Sequence, residues 1–219
     1  MSIKPILMNA DMVLAILNGR KTVTRRLPTK RIEEKYLDYE EYVNAVAPPE
    51  SRWLTEKEFY EQYPPYQPGD ILYVRETYVT WHLPLGEILY CYKATDPNGN
   101  KRPTSPEFDS DLDVRPWKPS IHMPKAAARI FLRVTDVRME QLQEIDDEQA
   151  KNEGANWKNG KNVGFEEKTR RSAVERFAEI WNATINKSDL DRYGWDVNPW
   201  VWVIEFERCD KPEGWCSND

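Results

Sequence analysis

The chain has little of what several kinds of site require. Its three cysteines, Cys91, Cys209 and Cys216, are scattered and odd in number, so they supply neither an even disulfide framework nor a C-x-x-C metal pair. With two histidines in 219 residues, a dedicated zinc site lacks its ordinary ligands, and no metal is expected. There is no G-x-G-x-x-G and no Walker A segment. That removes the usual cradles for dinucleotides and nucleoside triphosphates, and no cofactor is expected. No apolar run approaches the ~18 residues of a membrane span, and no apolar signal block opens the chain. Together these absences point to a reduced, cytoplasmic protein with no membrane partner.

What is present is aromatic and charged. Nine Trp and eleven Tyr offer contact area for a core and stacking surface for bases alike. The net charge of −6 argues against indiscriminate binding of nucleic acid, but the charges are segregated. Residues 1–31 hold seven Lys or Arg and one acid, 32–70 hold ten acids and three bases, and 114–138 hold six bases and one acid. Two basic blocks in an acidic chain can form one positive patch, because local field steers a polyanion. Chance clustering on loops is the alternative.

The most charged short stretch is Gly19-Arg20-Lys21-Thr22-Val23-Thr24-Arg25-Arg26. Its alternation suits an extended segment with Thr22, Thr24 and Arg26 on one face and Lys21, Val23 and Arg25 on the other. The first face suits a polar or anionic ligand; a solvated basic strand is the plainer reading. Ahead of it, Lys4–Met8 reads as a strand and Asn9 as the N-cap of a short helix carrying Val13, Ile16 and Leu17, stopped by Gly19.

Residues 28–67 are acidic, Tyr-rich and Pro-punctuated, with helix expected around Glu33–Val46 and Thr55–Tyr63. The turn Pro68-Gly69-Asp70 leads into a buried strand, Ile71–Val74. Arg75 and Glu76 follow, either as a structural ion pair or as ligand contacts. Ile88–Tyr92 is a strand, Asp96-Pro97-Asn98-Gly99 a turn, and 156–163 a polar loop. Trp117–Pro124 is fixed by prolines, so Trp117, His122 and Met123 either wall a ligand pocket or plug the end of a barrel. Ile130–Val137 alternates as a strand, and 146–153 is an acidic helix stopped by Gly154. Lys168–Thr184 is a helix with Ala173, Phe177, Ile180, Trp181 and Thr184 on its apolar face. Trp200–Phe206 is a closing strand, and 210–219 is a polar tail. Several strands with helices between them and no regular βα alternation predict an α+β fold, a small mixed β-barrel with peripheral helices.

These motifs, in order, resemble those of the ASCH domains of the PUA-like superfamily. The carriers are the helix ending in Gly19-Arg20-Lys21-Thr22, then Thr24 and Arg26, then Pro68-Gly69-Asp70-Ile71-Leu72-Tyr73-Val74. The strand around Val134, the helix carrying Glu153 and the strand Val201–Phe206 complete the set. With Val74-Arg75-Glu76, Trp117–Pro124 and Asn198-Pro199-Trp200, the version here looks most like ASCH-type proteins of bacteriophages and prophages. The resemblance implies one PUA-like domain over 1–209 with long insertions at about 28–67 and 78–117, the latter two absent from the compact members.

It also implies recognition of RNA or a modified nucleoside in a basic cleft. One branch is an amidohydrolase that removes acetyl from N(4)-acetylcytidine with a Lys, a Thr and a Glu, which fall here on Lys21, Thr24 and Glu153. A Thr hydroxyl needs a base to become a nucleophile. A Lys among Arg20, Arg25 and Arg26 has its charged form disfavoured and can act as that base. A Glu can protonate the departing amine, and Arg26 or a backbone N–H can hold the oxyanion. The ligand-binding set expected beside these three is Arg20, Thr22, Arg25, Arg26, Arg75, Glu76, Trp117 and His122. The rival readings are a Lys21–Glu153 salt bridge, a non-catalytic RNA-binding module, and a phage accessory protein that binds a host protein through the acidic insertion.

Overall fold

Short-range signals start and stop most elements of the chain, as a computed structural model of it shows. The structure describes residues 1–46, 53–82, 86–96, 116–155 and 172–215. The Asp96–Gly99 turn beyond residue 96, the 156–163 loop and the first residues of the 168–184 helix lie outside them. The described chain is a mixed α/β structure that divides into two compact units. One comprises Met1–Lys21, Gly69–Val134 and Glu207–Asp219, the other Thr22–Pro68 and Thr135–Phe206.

In the first unit, β1 (Ile3–Leu7) pairs in parallel with β3 (Ile71–Arg75), Ile6 opposite Val74. Strand β3 pairs antiparallel with the start of β6 (Phe131–Gln141), Leu72 opposite Leu132. Helix α1 (Ala10–Leu17) begins where Asn9 accepts a hydrogen bond from Met12 N and buries Val13, Ala15 and Ile16. Past its end, Gly19 takes φ +67°, a left-handed backbone that lets the chain turn off the helix. Strand β4 (Tyr78–His82) forms a two-stranded antiparallel sheet with β5 (Ile88–Tyr92). The sequence reading found β5 and missed β4. Tyr78, Val79 and Trp81 are buried while Thr80 is half-buried, so the polar residues around β4 disguise a short strand.

The core of this unit gathers Ile71, Tyr78, Met123, Ala127, Phe131 and Trp215. Trp215 corrects the expectation of a wholly polar tail: its ring lies 5.0 Å from those of Tyr73 and of Phe131. One large aromatic outweighs polar neighbours when it finds such a seat.

In the second unit, β2 (Val23–Arg26) pairs antiparallel with β7 (Trp200–Cys209), which also neighbours β6 in the sheet. Val201, Trp202, Val203 and Ile204 are all buried, so β7 is covered on both faces where a one-sided strand would alternate. The same unit carries α2 (Lys30–Val46), α3 (Glu56–Tyr60), α4 (Asp147–Asn152), α5 (Ala173–Thr184) and α6 (Leu190–Tyr193). Thr55 and Glu58 close a capping box on α3, as Ser172 and Glu175 do on α5. Helix α5 presents Phe177 and Trp181 to a core with Val23, Leu142, Ile145, Val201 and Val203. Of the residues expected on that face, Ile180 is 41% exposed and Thr184 is exposed as well, so the buried stripe on α5 is narrower than its apolar pattern. Among the described residues no hydrogen-bonded pairing joins β1 to β2, so closure into a barrel is not found.

Candidate functional site

Strand β2 carries the polar stretch singled out above, and its register sorts the side chains. Val23 faces Glu205 and Arg25 faces Val203, whereas Thr24 faces Ile204 and Arg26 faces Trp202. Directly opposed residues of an antiparallel pair share a face. Arg25 therefore lies on the face of the Val23–Phe177 core, and Thr24 shares the other face with Arg26. A solvated strand is ruled out: Thr24 and Arg25 are buried, and Arg26 is half-buried.

Arg25 is held from three directions. Its Nη2 donates to Gln149 Oε1 at 2.7 Å and to Glu140 Oε2 at 3.1 Å, and Nη1 donates to Glu153 Oε1 at 3.4 Å. Its guanidinium carbon lies 5.8 Å from the Phe177 ring centroid, a cation–π contact. The partners arrive because Thr22 N donates to Asn152 O at 2.9 Å while Phe206 N donates to Thr22 O at 2.8 Å. These two bonds sew the end of α4 and strand β7 to the same residue. Glu153 caps α4 at its C-terminus, and Gly154 follows at φ +91°.

Thr24 is the contrast. Its side-chain oxygen is buried and has no hydrogen-bond partner among the described residues. A buried hydroxyl left so forfeits the hydrogen bonds it made to water, about 1–3 kcal/mol. Arg26, on the same face, is pushed down from the ordinary guanidinium value by burial, against the opposing pulls of Glu153 and Tyr66. Burial likewise pushes the Tyr66 phenol up, opposed by Arg26.

The remaining expected residues fall as follows. Lys21 is 2% exposed and its N–H donates to Ala15 O at 3.1 Å in the first unit. Arg20 is half-buried and Thr22 exposed. Glu76 is 1% exposed and takes both Nε and Nη2 of Arg129 at 2.8 and 3.0 Å, an ion pair within the fold. Arg75 donates to the carbonyls of Met123 and Ile121. His122 is exposed, and its carbonyl accepts from the Tyr78 hydroxyl at 2.8 Å. Trp117 is half-buried beside Lys118, whose backbone bridges to Tyr78. Segment 117–124 is thus stitched to β3 and β4, with Met123 as its buried anchor.

The expected basic patch loses several of its cations to internal partners. Besides Arg25 and Arg129, Arg133 meets Glu207 at 3.7 Å. Arg138 donates to Asp136 at 2.7 Å, to Glu205 at 2.6 Å and to Glu140. Burial alone would lower Arg138; its three carboxylate partners outweigh that and hold it above its ordinary value. Sequence reasoning missed Glu140 and Gln149 as partners of Arg25. Each is one polar residue among many, and nothing local marks it.

Among the described residues no group of His, Cys, Asp and Glu is arranged to hold a metal ion, and no helix is long and apolar enough to cross a membrane. No protein-family model and no curated protein matches the chain. A solved crystal structure of an ASCH domain from Lactobacillus crispatus JV V101 is similar over 94% of this chain and 79% of that one, at 12% sequence identity and a TM-score of 0.36.

Proposed function

We propose that the chain is an ASCH-type, PUA-like domain that recognises a modified nucleoside, free or within RNA, and that Lys21, Thr24 and Glu153 hydrolyse an N-acyl group from it. The observation that carries this is the Thr24 hydroxyl, buried with no hydrogen-bond partner among the described residues, on a strand whose neighbour Arg25 has three. A polar atom that serves no structural bond is a candidate for a ligand or a reaction. In the proposed step Lys21 takes the Thr24 proton, the oxygen attacks the acyl carbon, and the amine leaves with a proton from Glu153. Water then releases the carboxylic acid and restores the hydroxyl. Arg26, on the face of Thr24, is the candidate for the oxyanion.

The internal pairing of Arg25, Arg129, Arg133 and Arg138 favours a small ligand over a long phosphate backbone, since those cations already have carboxylates. A second reading, binding without chemistry, is favoured by the contact of Glu153 with Arg25, which occupies the carboxylate that would act as acid. The deciding experiment follows deacylation of N(4)-acylated cytidines by wild type, Thr24→Val and Lys21→Met. Turnover by wild type that both variants lose supports hydrolysis. Turnover unchanged in Thr24→Val removes the nucleophile, and binding without turnover in wild type leaves the module reading.

A further inference from the structure

The second unit contains an open cleft of about 330 Å³ that the Thr24 reading does not use. Its walls include Glu33 on α2, Glu56 and Tyr60 on α3, Arg192 and Tyr193 on α6, and Trp200 at the start of β7. The volume lies at the small end of the ~300–1,000 Å³ range of small-ligand pockets.

Glu33 displays the chemistry this cleft accommodates. Its Oε2 accepts from the Tyr193 hydroxyl at 2.6 Å and from Arg192 Nη2 at 3.4 Å. The Arg192 guanidinium lies 5.1 Å from the Tyr193 ring centroid. A guanidinium is therefore already held here between a carboxylate and an aromatic ring, by a side chain that is 59% exposed.

Glu56 repeats half of that arrangement. The Tyr60 hydroxyl hydrogen-bonds to it, yet no ion pair reaches it among the described residues. Burial above all, with Glu40 and Glu33 adding to it, pushes Glu56 up from the ordinary carboxylate range, against the Tyr60 hydrogen bond. Burial and then the Glu56 and Glu33 carboxylates raise the Tyr60 phenol in the same sense. A cation set against Glu56 would favour its ionised form over the neutral form that burial favours. Trp200 lies with Lys57 Nζ 5.7 Å from its ring centroid, so this ring also takes a cation on its face.

We propose that this cleft binds a guanidinium-bearing ligand, either a small alkylguanidine or the arginine side chain of a peptide, with Glu56 as its carboxylate and Tyr60 and Trp200 as its aromatic walls. A guanidinium fits better than an ammonium because it is planar, pairs with both oxygens of a carboxylate, stacks on rings and is weakly hydrated. The proposal is independent of the chemistry assigned to Thr24.

Calorimetric titration of the full chain tests it, with agmatine and N-acetyl-arginine amide as the two guanidines and cadaverine as the ammonium control. Saturable heat is expected with at least one guanidine, and binding of cadaverine about tenfold weaker or less. Agmatine alone would mark a small-molecule site, and the blocked arginine alone a peptide site. Glu56→Gln should lose about tenfold or more of the affinity while keeping its melting temperature, and Thr24→Val should bind as wild type does. If Glu56→Gln melts early, Trp200→Leu takes its place with the same expected loss. No saturable heat with either guanidine, equal binding of cadaverine, or undiminished binding by the well-folded variant overturns the proposal.

Discussion

Arg25 and Glu153 meet across 128 residues of sequence, Nη1 lying 3.4 Å from Oε1, with the two side chains 0% and 5% exposed. Both charges are out of water, so each depends on the other and on the polar groups around them. The pair joins β2 to the end of α4, the two places from which the candidate catalytic residues Thr24 and Glu153 come.

Removing one partner should therefore be costly. Arg25→Met takes from Glu153, Glu140 and Gln149 the buried guanidinium they share, and is expected to lower unfolding stability by about 3–5 kcal/mol. Arg25→Lys should recover only part of this, because an ammonium cannot span Gln149, Glu140 and Glu153 as the guanidinium fork does. Urea midpoints measure both. A loss under about 1 kcal/mol for the methionine variant would show that the pair contributes little.

Thr24→Val is expected to behave in the opposite way. The hydroxyl it deletes is buried with no hydrogen-bond partner among the described residues, and valine keeps the β-branched shape that suits a strand. Stability should stay level or rise by about 1 kcal/mol, the order of the relieved desolvation. A drop of that size would mean that the hydroxyl holds a structural bond and would weaken its assignment as a nucleophile.

Glu56 gives a pH signature whose sign is determined by the direction of its shift. Its carboxyl titrates higher in the folded chain than its ordinary value of 4.5. Between that value and the folded one, the native state binds more protons than the unfolded state, so stability from this group falls as pH rises. Wild type should thus lose stability relative to Glu56→Gln from about pH 4 upward and level off once Glu56 is ionised in both states. Parallel urea titrations of the two proteins read the difference directly. A difference that grows in favour of wild type with rising pH would contradict the upward shift that burial imposes on Glu56.

Gly194, between α6 and the Trp195–Val197 turn, is expected to reject any side chain. A Cβ there would lie 2.4 Å from the Leu190 carbonyl oxygen and 3.3 Å from its carbon, and backbone cannot yield as a flexible side chain can. Gly194→Ala should cost about 1–3 kcal/mol and displace Tyr193, whose hydroxyl reaches Glu33. An unchanged melting curve would show that the α6 turn relaxes freely.

Much of the local structure was legible in the amino-acid order, because its causes act over a few residues. The Asn9 cap and the Gly19 stop bracket α1, Gly154 follows α4, and the turn at Pro68–Asp70 precedes β3. Alternation along 21–26 correctly separated Thr24 and Arg26 from Val23 and Arg25, since strand geometry sends successive side chains to opposite faces. Strand β4 escaped notice because it is five residues long, follows the polar run Arg75-Glu76-Thr77 and is held by partners distant in sequence, β5 and the Lys118 backbone.

The destination of each charge was another matter. The same basic residues read equally well as a solvated strand, a phosphate contact or a buried pair, because composition fixes how many charges there are and not which meet. Arg25 became a buried structural cation once α4 delivered Gln149 and Glu153 to it and β6 delivered Glu140. Glu76 became the partner of Arg129, and Trp215 left the polar tail for the ring contacts of Tyr73 and Phe131. Such contacts join residues far apart in the chain, and their energy comes from desolvation and packing that exist only when the elements have assembled.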